Sequence, residues 1–407
     1  MKAAVLFVIV LASCCFSVSF GPSVVRVERD WTVVSPGAYY FEGSLALNDS
    51  NQKVLSIETD PPMAVFTDPQ GNIRVQYNGT ASALKAVAII AVDFNTNITE
   101  DPAFVKGEPL NATNLTMWNA GIAASADNLT ANTTLETIRN IANFVHGYID
   151  YNISYFGLVL NATETYALRQ GVCVEYSHLT ISMARYLGMD TRFVSGFVNG
   201  GQWQAHAWAE VYVPGYGWLP VDSTFGEIGV LDDSHVAEAK GRDQDDIFDL
   251  VRSMEPGNGT IQFNTSGTAE FINESQDLQG LGLSYAFDGP AGVLNVTLEN
   301  GRNDYVFGTY QAILSGAGGV NESTIVLLTP HEDLTRSYSL DYSALRPGYQ
   351  YTMPFLATLD DAMASGNLSL NVTGTASCTN CGTNQQAPSC LPAYILLGLL
   401  VLYPSRQ

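Results

Sequence analysis

Three short stretches decide the reading: Gly171-Val172-Cys173-Val174-Glu175-Tyr176, Gln204-Ala205-His206-Ala207-Trp208 and Pro220-Val221-Asp222-Ser223-Thr224. They deliver a thiol, an imidazole and a carboxylate in chain order. Cys173 opens a run in which Val174, Ser177, Ile181 and Ala184 recur at helical spacing until Gly188. The spacing predicts a helix with the thiol in its first turn. There the positive end of the helix dipole and unpaired backbone N–H groups favour the thiolate, the form that attacks carbonyls. From Gln204 to Val213, His206, Trp208 and Glu210 alternate with Ala207, Ala209 and Val211, as in a strand. Pro214-Gly215-Tyr216-Gly217 reads as a turn, and Trp218 to Val221 as a returning strand. Positions 206 and 222 share parity, so a simple hairpin puts both side chains on one sheet face. The carboxylate would fix the imidazole tautomer and stabilise its charged form. The imidazole would take the thiol proton and later protonate a leaving group.

Longer motifs surround the three residues. The helical run ends Ala184-Arg185-Tyr186-Leu187-Gly188, and Thr191-Arg192-Phe193-Val194-Ser195-Gly196 follows. Then come His206-Ala207-Trp208-Ala209-Glu210-Val211-Tyr212 and Gly217-Trp218-Leu219-Pro220-Val221-Asp222-Ser223-Thr224. The set resembles the transglutaminase-like superfamily, in its microbial secreted branch, over roughly residues 130–250. The resemblance implies an α+β fold: a papain-like core with the cysteine helix packed on an antiparallel sheet. It implies that Cys173, His206 and Asp222 are the catalytic triad. Ser223 departs from the family, which usually has proline there. The implied chemistry is attack on polypeptide amide or peptide bonds through a thioester. Water as acceptor makes a cysteine protease and an amine makes a crosslinking transglutaminase; hydrolysis is the expectation. Peptide-N-glycanase-like deglycosylation shares the triad but usually operates inside cells. The rival from another class is a non-catalytic, glycosylated adhesion or binding protein. His178 falls on a different helix face from Cys173 and reads as a bystander. Glu175 and Glu210 read as structural hydrogen-bonding groups, and Trp203, Trp208 and Trp218 as core and groove-wall aromatics.

The chain carries 18 Lys+Arg against 40 Asp+Glu, a net charge of −22. Nucleic acid as a partner is disfavoured, because it needs a basic footprint. Residues 1–19 read as a signal peptide, and Leu11-Ala12-Ser13-Cys14 also resembles a lipobox that would acylate Cys14. Sixteen Asn-x-Ser/Thr sequons run from Asn48 to Asn371, and none begins between Asn161 and Asn258, the window holding the triad. That window contains almost no asparagine. Cys378 and Cys381 could close a small disulfide outside the cell, with Cys390 left over and Cys173 necessarily free.

The flanks read as β-rich. Short strand-like runs separated by Asn, Asp, Gly and Pro predict an N-terminal β-domain over 24–94 and a C-terminal β-sandwich over 260–360. Residues 232–250 read as acidic and partly helical. Asp243, Asp245, Asp246 and Asp249 suggest calcium, which some transglutaminases need, but no ligand loop pattern is present, so no cofactor or metal is expected. A linker over 365–389 leads to the apolar run 391–403, read as a short C-terminal membrane anchor. The expectation is an extracellular, membrane-anchored cell-surface protein acting on protein or peptide substrates, from a microbe such as an archaeon.

Overall fold

The helix that starts at Cys173 is the centre of the architecture. The computed structural model describes residues 23–371, apart from 36, 93–97, 230–234, 255–260, 274–279, 290, 317–318, 342–344, 347–348 and 361. The expected signal peptide, the Cys14 lipobox, the Cys378–Cys381 pairing, Cys390 and the apolar run 391–403 lie outside the described residues. Among the described residues no helix is long and apolar enough to cross a membrane.

Four helices are described: α1 (Ala120–Asn128), α2 (Thr134–Tyr148), α3 (Ala162–Leu168) and α4 (Cys173–Tyr186). Glu175 reaches back from the first turn of α4 to accept the Val172 N–H at 2.9 Å. At the other end Gly188 takes φ +83° and the Met189 N–H returns to the Ala184 carbonyl at 3.0 Å, a left-handed C-terminal stop that favours glycine. Helix α4 is buried along most of its length. Leu179, Met183 and Ala184 pack with Ile138, Ile141 and Val145 of α2 and with Val211, Leu219 and Val221 of the sheet. Ile181 packs on Phe193, Ala207 and Ala209.

The sheet under α4 is five-stranded and antiparallel, in the order Glu227–Ile228, Gly217–Asp222, Trp203–Val213, Thr191–Asn199, His235–Gly241. With the helices it makes the α+β, papain-like core. The edge strand corrects the reading of 232–250 as partly helical. That stretch contains strand His235–Gly241 and one 3₁₀ turn, Gln244–Asp246. A strand wins because Thr191–Asn199 offers a ladder partner, broken only by a register shift between Ala237 and Ala239, and because Val236 and Ala239 can be buried there. Gly196 is required at this ladder, since a Cβ on it would collide with the Val236 carbonyl oxygen.

Two β-sandwiches flank the core. The N-terminal one has a sheet ordered Gln262–Asn273, Ser23–Val34, Ala83–Val92, Gln52–Asp60 and a second ordered Leu250–Ser253, Tyr39–Leu47, Asn72–Gly79, Ala64–Thr67. Each sheet therefore gains an edge strand from chain that follows the catalytic segment. The core is an insertion within the N-terminal sandwich. This corrects the boundary at 260: strand Gln262–Asn273 pairs with Ser23–Val34, and the C-terminal sandwich begins at Leu281 and runs to Asn371. The sequence of an edge strand does not name its partner, and so the run was ascribed to its chain neighbours.

Both sandwiches are bolted to the core. The side-chain amide of Gln52 accepts the Ala237 N–H at 2.9 Å and donates to the Ala237 carbonyl at 2.7 Å. Asn72 does the same for Lys240, at 2.8 and 2.9 Å. Two amides thus close the outer edge of His235–Gly241, which would otherwise expose unpaired backbone groups. On the other side Asn143 of α2 holds the backbone of Ile325 at 2.8 and 3.0 Å, and Phe307 and Ile325 enter the core around α2 and α4. Replacing Gln52 by Ala leaves a buried N–H and C=O unsatisfied. The expected cost is about 1–3 kcal/mol, read as a lower urea midpoint, whereas the exposed Gln70→Ala should leave the midpoint unchanged.

Candidate active site

The Asp222 side chain organises the site. It lies at the end of strand Gly217–Asp222 and is fully buried. Its Oδ1 accepts the backbone N–H of Thr224 at 2.8 Å and of Phe225 at 3.3 Å, so the chain turns around the carboxylate. Its Oδ2 accepts from the His206 Nε2 at 2.6 Å and from the His235 Nε2 at 3.2 Å. Ser223, which stands where the family usually has proline, bonds through its hydroxyl to Thr180 of α4 at 2.8 Å. That contact ties the Asp222 turn to the cysteine helix.

The register explains how the hairpin delivers His206 and Asp222 together. Ala209 faces Val221 and Glu210 faces Pro220, so even positions share one face. Trp208 and Phe225 flank the His206 ring, with centroids at 6.1 and 5.1 Å. With Nε2 bound to Asp222, His206 has Nδ1 left for the thiol. Cys173, a free cysteine, and His206 line one cavity of about 280 Å³. The structure therefore brings all three sequence-selected residues into one place: the sulfur and the ring at the cavity, the carboxylate sealed behind the ring.

The electrostatics follow from that burial. Desolvation alone would lower the proton affinity of His206. The Asp222 charge and hydrogen bond, with a further contribution from the Cys173 side chain, outweigh it and raise the pKa to about 9. Burial likewise pushes Asp222 upward, but the two imidazoles overcome it and hold the carboxyl far below the ordinary range. Both directions favour the charged pair, imidazolium with carboxylate, over the neutral one.

His178, which reads as a bystander, and Glu175 and Glu210, which read as structural groups, each hold a partner. His178 is buried and its Nδ1 meets the Leu160 carbonyl at 3.1 Å; burial lowers its pKa to about 4, so it is neutral. Glu175, besides capping α4, accepts the Leu160 N–H at 3.1 Å. Glu210 pairs with Arg192, which also meets Asp49 at 2.8 Å. Three of the four aspartates read as calcium candidates have other partners. Asp246 pairs with Arg242, Asp249 accepts from the Trp31 indole at 2.8 Å, and Asp243 accepts the Asp245 N–H at 2.9 Å. Among the described residues, His206, Asp222 and His235 are grouped closely enough to ligate a metal. Their donor atoms are already hydrogen-bonded to one another, so an ion there would have to displace the proton that links His206 to Asp222.

Residues 122–223 match the model of the transglutaminase-like superfamily. The chain carries a transglutaminase-like domain. An uncharacterized protein of Mycobacterium tuberculosis is 25% identical over 127 residues, 28% of this chain and 40% of its own length. Another, from Mycobacterium leprae, is 24% identical over 167 residues, 39% of this chain and 58% of its own length. The chain thus spans roughly half the length of these curated relatives. A solved protein of Cytophaga hutchinsonii, provisionally described as a cysteine protease, has a TM-score of 0.43 at 18% identity, over 63% of this chain and 93% of its own. Red sea bream transglutaminase has a TM-score of 0.20 at 11% identity, over 82% of this chain and 77% of its own.

Two further residues of the transglutaminase-like domain touch the site and were not singled out from the sequence. His235 brings a second imidazole to Asp222, and its Nδ1 lies 3.8 Å from Glu227. It was hidden in a stretch read as helix; the only signal was a histidine in a chain that has five. Tyr151, itself half exposed, lies near the site: partial burial first, and then the neighbouring Cys173, Glu175 and Asp222 side chains, raise its pKa.

The sign of the pH response is fixed by these directions. His206 holds its proton more tightly folded than unfolded, so its stabilisation is complete below about pH 6.5 and is lost as pH rises through about 9. Asp222 contributes fully above about pH 4 and progressively less below. A histidine NMR titration should place His206 near pH 9. In Asp222→Asn, only the Cys173 side chain is left to oppose desolvation, and the midpoint should fall toward the free value of about 6.5. An unmoved midpoint would show that the carboxylate does not set the charge of the ring.

Proposed function

We propose that this chain is a thiol enzyme that cleaves amide or peptide bonds in polypeptides, outside the cell. The observation that carries the reading is the shared cavity. Cys173, in the first turn of α4, and His206 open onto the same space, and Asp222 grips the far side of the imidazole.

In the proposed reaction the Cys173 thiolate attacks the carbonyl carbon and forms a carbon–sulfur bond. The carbonyl oxygen becomes an oxyanion, stabilised by the Cys173 backbone N–H at the helix N-terminus. His206 gives its proton to the departing amine nitrogen as the carbon–nitrogen bond breaks. A water molecule then gives a proton to His206 and adds to the thioester. Collapse of that adduct releases the acid and restores the thiolate–imidazolium pair. Asp222 keeps the ring oriented and charged throughout. Water needs no binding subsite of its own, whereas an amine acceptor does, which favours hydrolysis over crosslinking.

The extracellular setting draws support from the sequons. Asn48, Asn78, Asn111, Asn114, Asn264, Asn321 and Asn367 are exposed. A mass decrease on enzymatic deglycosylation of the native protein is expected; an unchanged mass would remove this part of the proposal.

The chemistry is tested with a peptide library, digested with and without an added primary amine and read by mass spectrometry. Free acids should form in both conditions, Cys173→Ala should abolish them, and His206→Ala should slow them by about 10²–10⁴-fold. Amine-capped products would instead make the protein a transamidase. Cleavage that survives in Cys173→Ala would overturn the thiol mechanism.

A further inference from the structure

The segment between Tyr151 and Asn161 combines two features that rarely coincide on a folded surface. It exposes large apolar side chains: Ile153 at 67%, Phe156 at 71% and Leu158 at 57%, with Val159 at 46%. Yet its backbone is held at both ends. At the entry, strand Asp150–Tyr151 pairs in parallel with Gln170–Gly171, and the Asn152 N–H donates to the Gly171 carbonyl at 2.9 Å. At the exit, both backbone groups of Leu160 are taken by α4 side chains: Glu175 accepts its N–H and His178 donates to its carbonyl, each at 3.1 Å. Glu175 and His178 stand two and five residues after the nucleophile. The helix that presents the sulfur therefore also sets the position of this loop.

The loop forms one wall of the cavity that contains Cys173. Phe156, Leu158 and Val159 line it together with Val174, Phe193 and Ile247. Among the described residues no Asp, Glu, Lys or Arg lines the cavity, although the chain as a whole carries a net charge of −22. An apolar patch of fixed shape beside a reacting atom marks a place where a partner is bound. At about 280 Å³ the space suits the side chains of an extended segment.

We propose that the loop Ile153–Val159 is the specificity wall of this enzyme, and that it selects polypeptide substrates with a large apolar side chain next to the carbonyl that Cys173 attacks. The occupant is an extended peptide segment, because the cavity is continuous with the nucleophile and a segment threading it brings a backbone carbonyl to the sulfur. An acidic side chain there would lose its hydration against Phe156 and Phe193, inside the field of an already negative protein, and the imidazolium of the cavity is already engaged by Asp222. The inference rests on the acyl-transfer reading above for its name, but its test does not depend on turnover.

The full chain bearing Cys173→Ala is titrated, by fluorescence anisotropy, with labelled heptapeptides that differ only beside the central amide: Phe, Leu, Ser or Asp. Phe and Leu peptides should bind about 10- to 100-fold more tightly than Ser and Asp peptides. Adding Phe156→Ser and Leu158→Ser should erase the preference, while Phe156→Leu should keep most of it. Both positions are exposed, so the variants should retain the parent circular dichroism and melting temperature. Equal binding of the four peptides, or a preference that survives the double serine variant, overturns the specificity wall. A preference that appears as expected while the wild type hydrolyses none of the peptides upholds the wall and rejects the hydrolytic reading instead.

Discussion

A fully buried carboxylate is the constraint that the rest of this structure has to satisfy. An isolated charge in a protein interior is very costly, and Asp222 is tolerable only because each of its oxygens accepts two hydrogen bonds. Those four donors come from three places in the chain: the turn just after Asp222, strand Trp203–Val213 and strand His235–Gly241. Losing the position of any one would strand part of the charge. The hairpin register, the edge strand and the contact between Ser223 and Thr180 are therefore linked requirements, not separate features.

The flanking sandwiches make sense in the same terms. An edge strand such as His235–Gly241 is easily frayed, and His235 depends on it. The N-terminal sandwich closes that edge with the amides of Gln52 and Asn72 and brings Asp49 to Arg192 and Lys240. Glu210, also buried, finds its partner in Arg192. Because the sandwich receives strands from both before and after the core, it grips the inserted segment at both its ends. The C-terminal sandwich acts on the other flank, where Asn143 and the side chains of Phe307 and Ile325 steady α2 against α4. Rigidity reaches the sulfur from two directions.

The two sides of the sheet divide the labour. The odd-numbered residues from Ala205 to Val213 are small or aliphatic, and Ala207, Ala209 and Val211 pack with α4. The even-numbered ones, His206, Trp208 and Glu210, carry the charge and the rings that sandwich it. Near Trp208, the face meets Asp49, Gln52 and Val92 across a small gap, so the polar pairs are kept from bulk water and their mutual attraction is less screened. The open side of the site is apolar, and the sealed side is ionic. A peptide bond can reach the sulfur while the charge that tunes the imidazole stays dry.

Local periodicity made α4, the hairpin and the shared face of His206 and Asp222 legible in the sequence, and the motifs around them singled out Cys173, His206 and Asp222. A helix, a strand and a tight turn are each written in the few residues that form them, and the parity of 206 and 222 follows from the strand period alone. Glu175 and Glu210 could likewise be read as structural groups. Tertiary structure alone decided that Gln262–Asn273 pairs with Ser23–Val34, that His235 reaches Asp222, that His178 holds Leu160, and that an apolar loop stands beside the sulfur. Each of those joins residues distant in sequence or lying on different elements, and their pairing is set by which surfaces fit after collapse. A strand's own residues say that it will pair, and a histidine's neighbours say that it will be buried. Neither says with what.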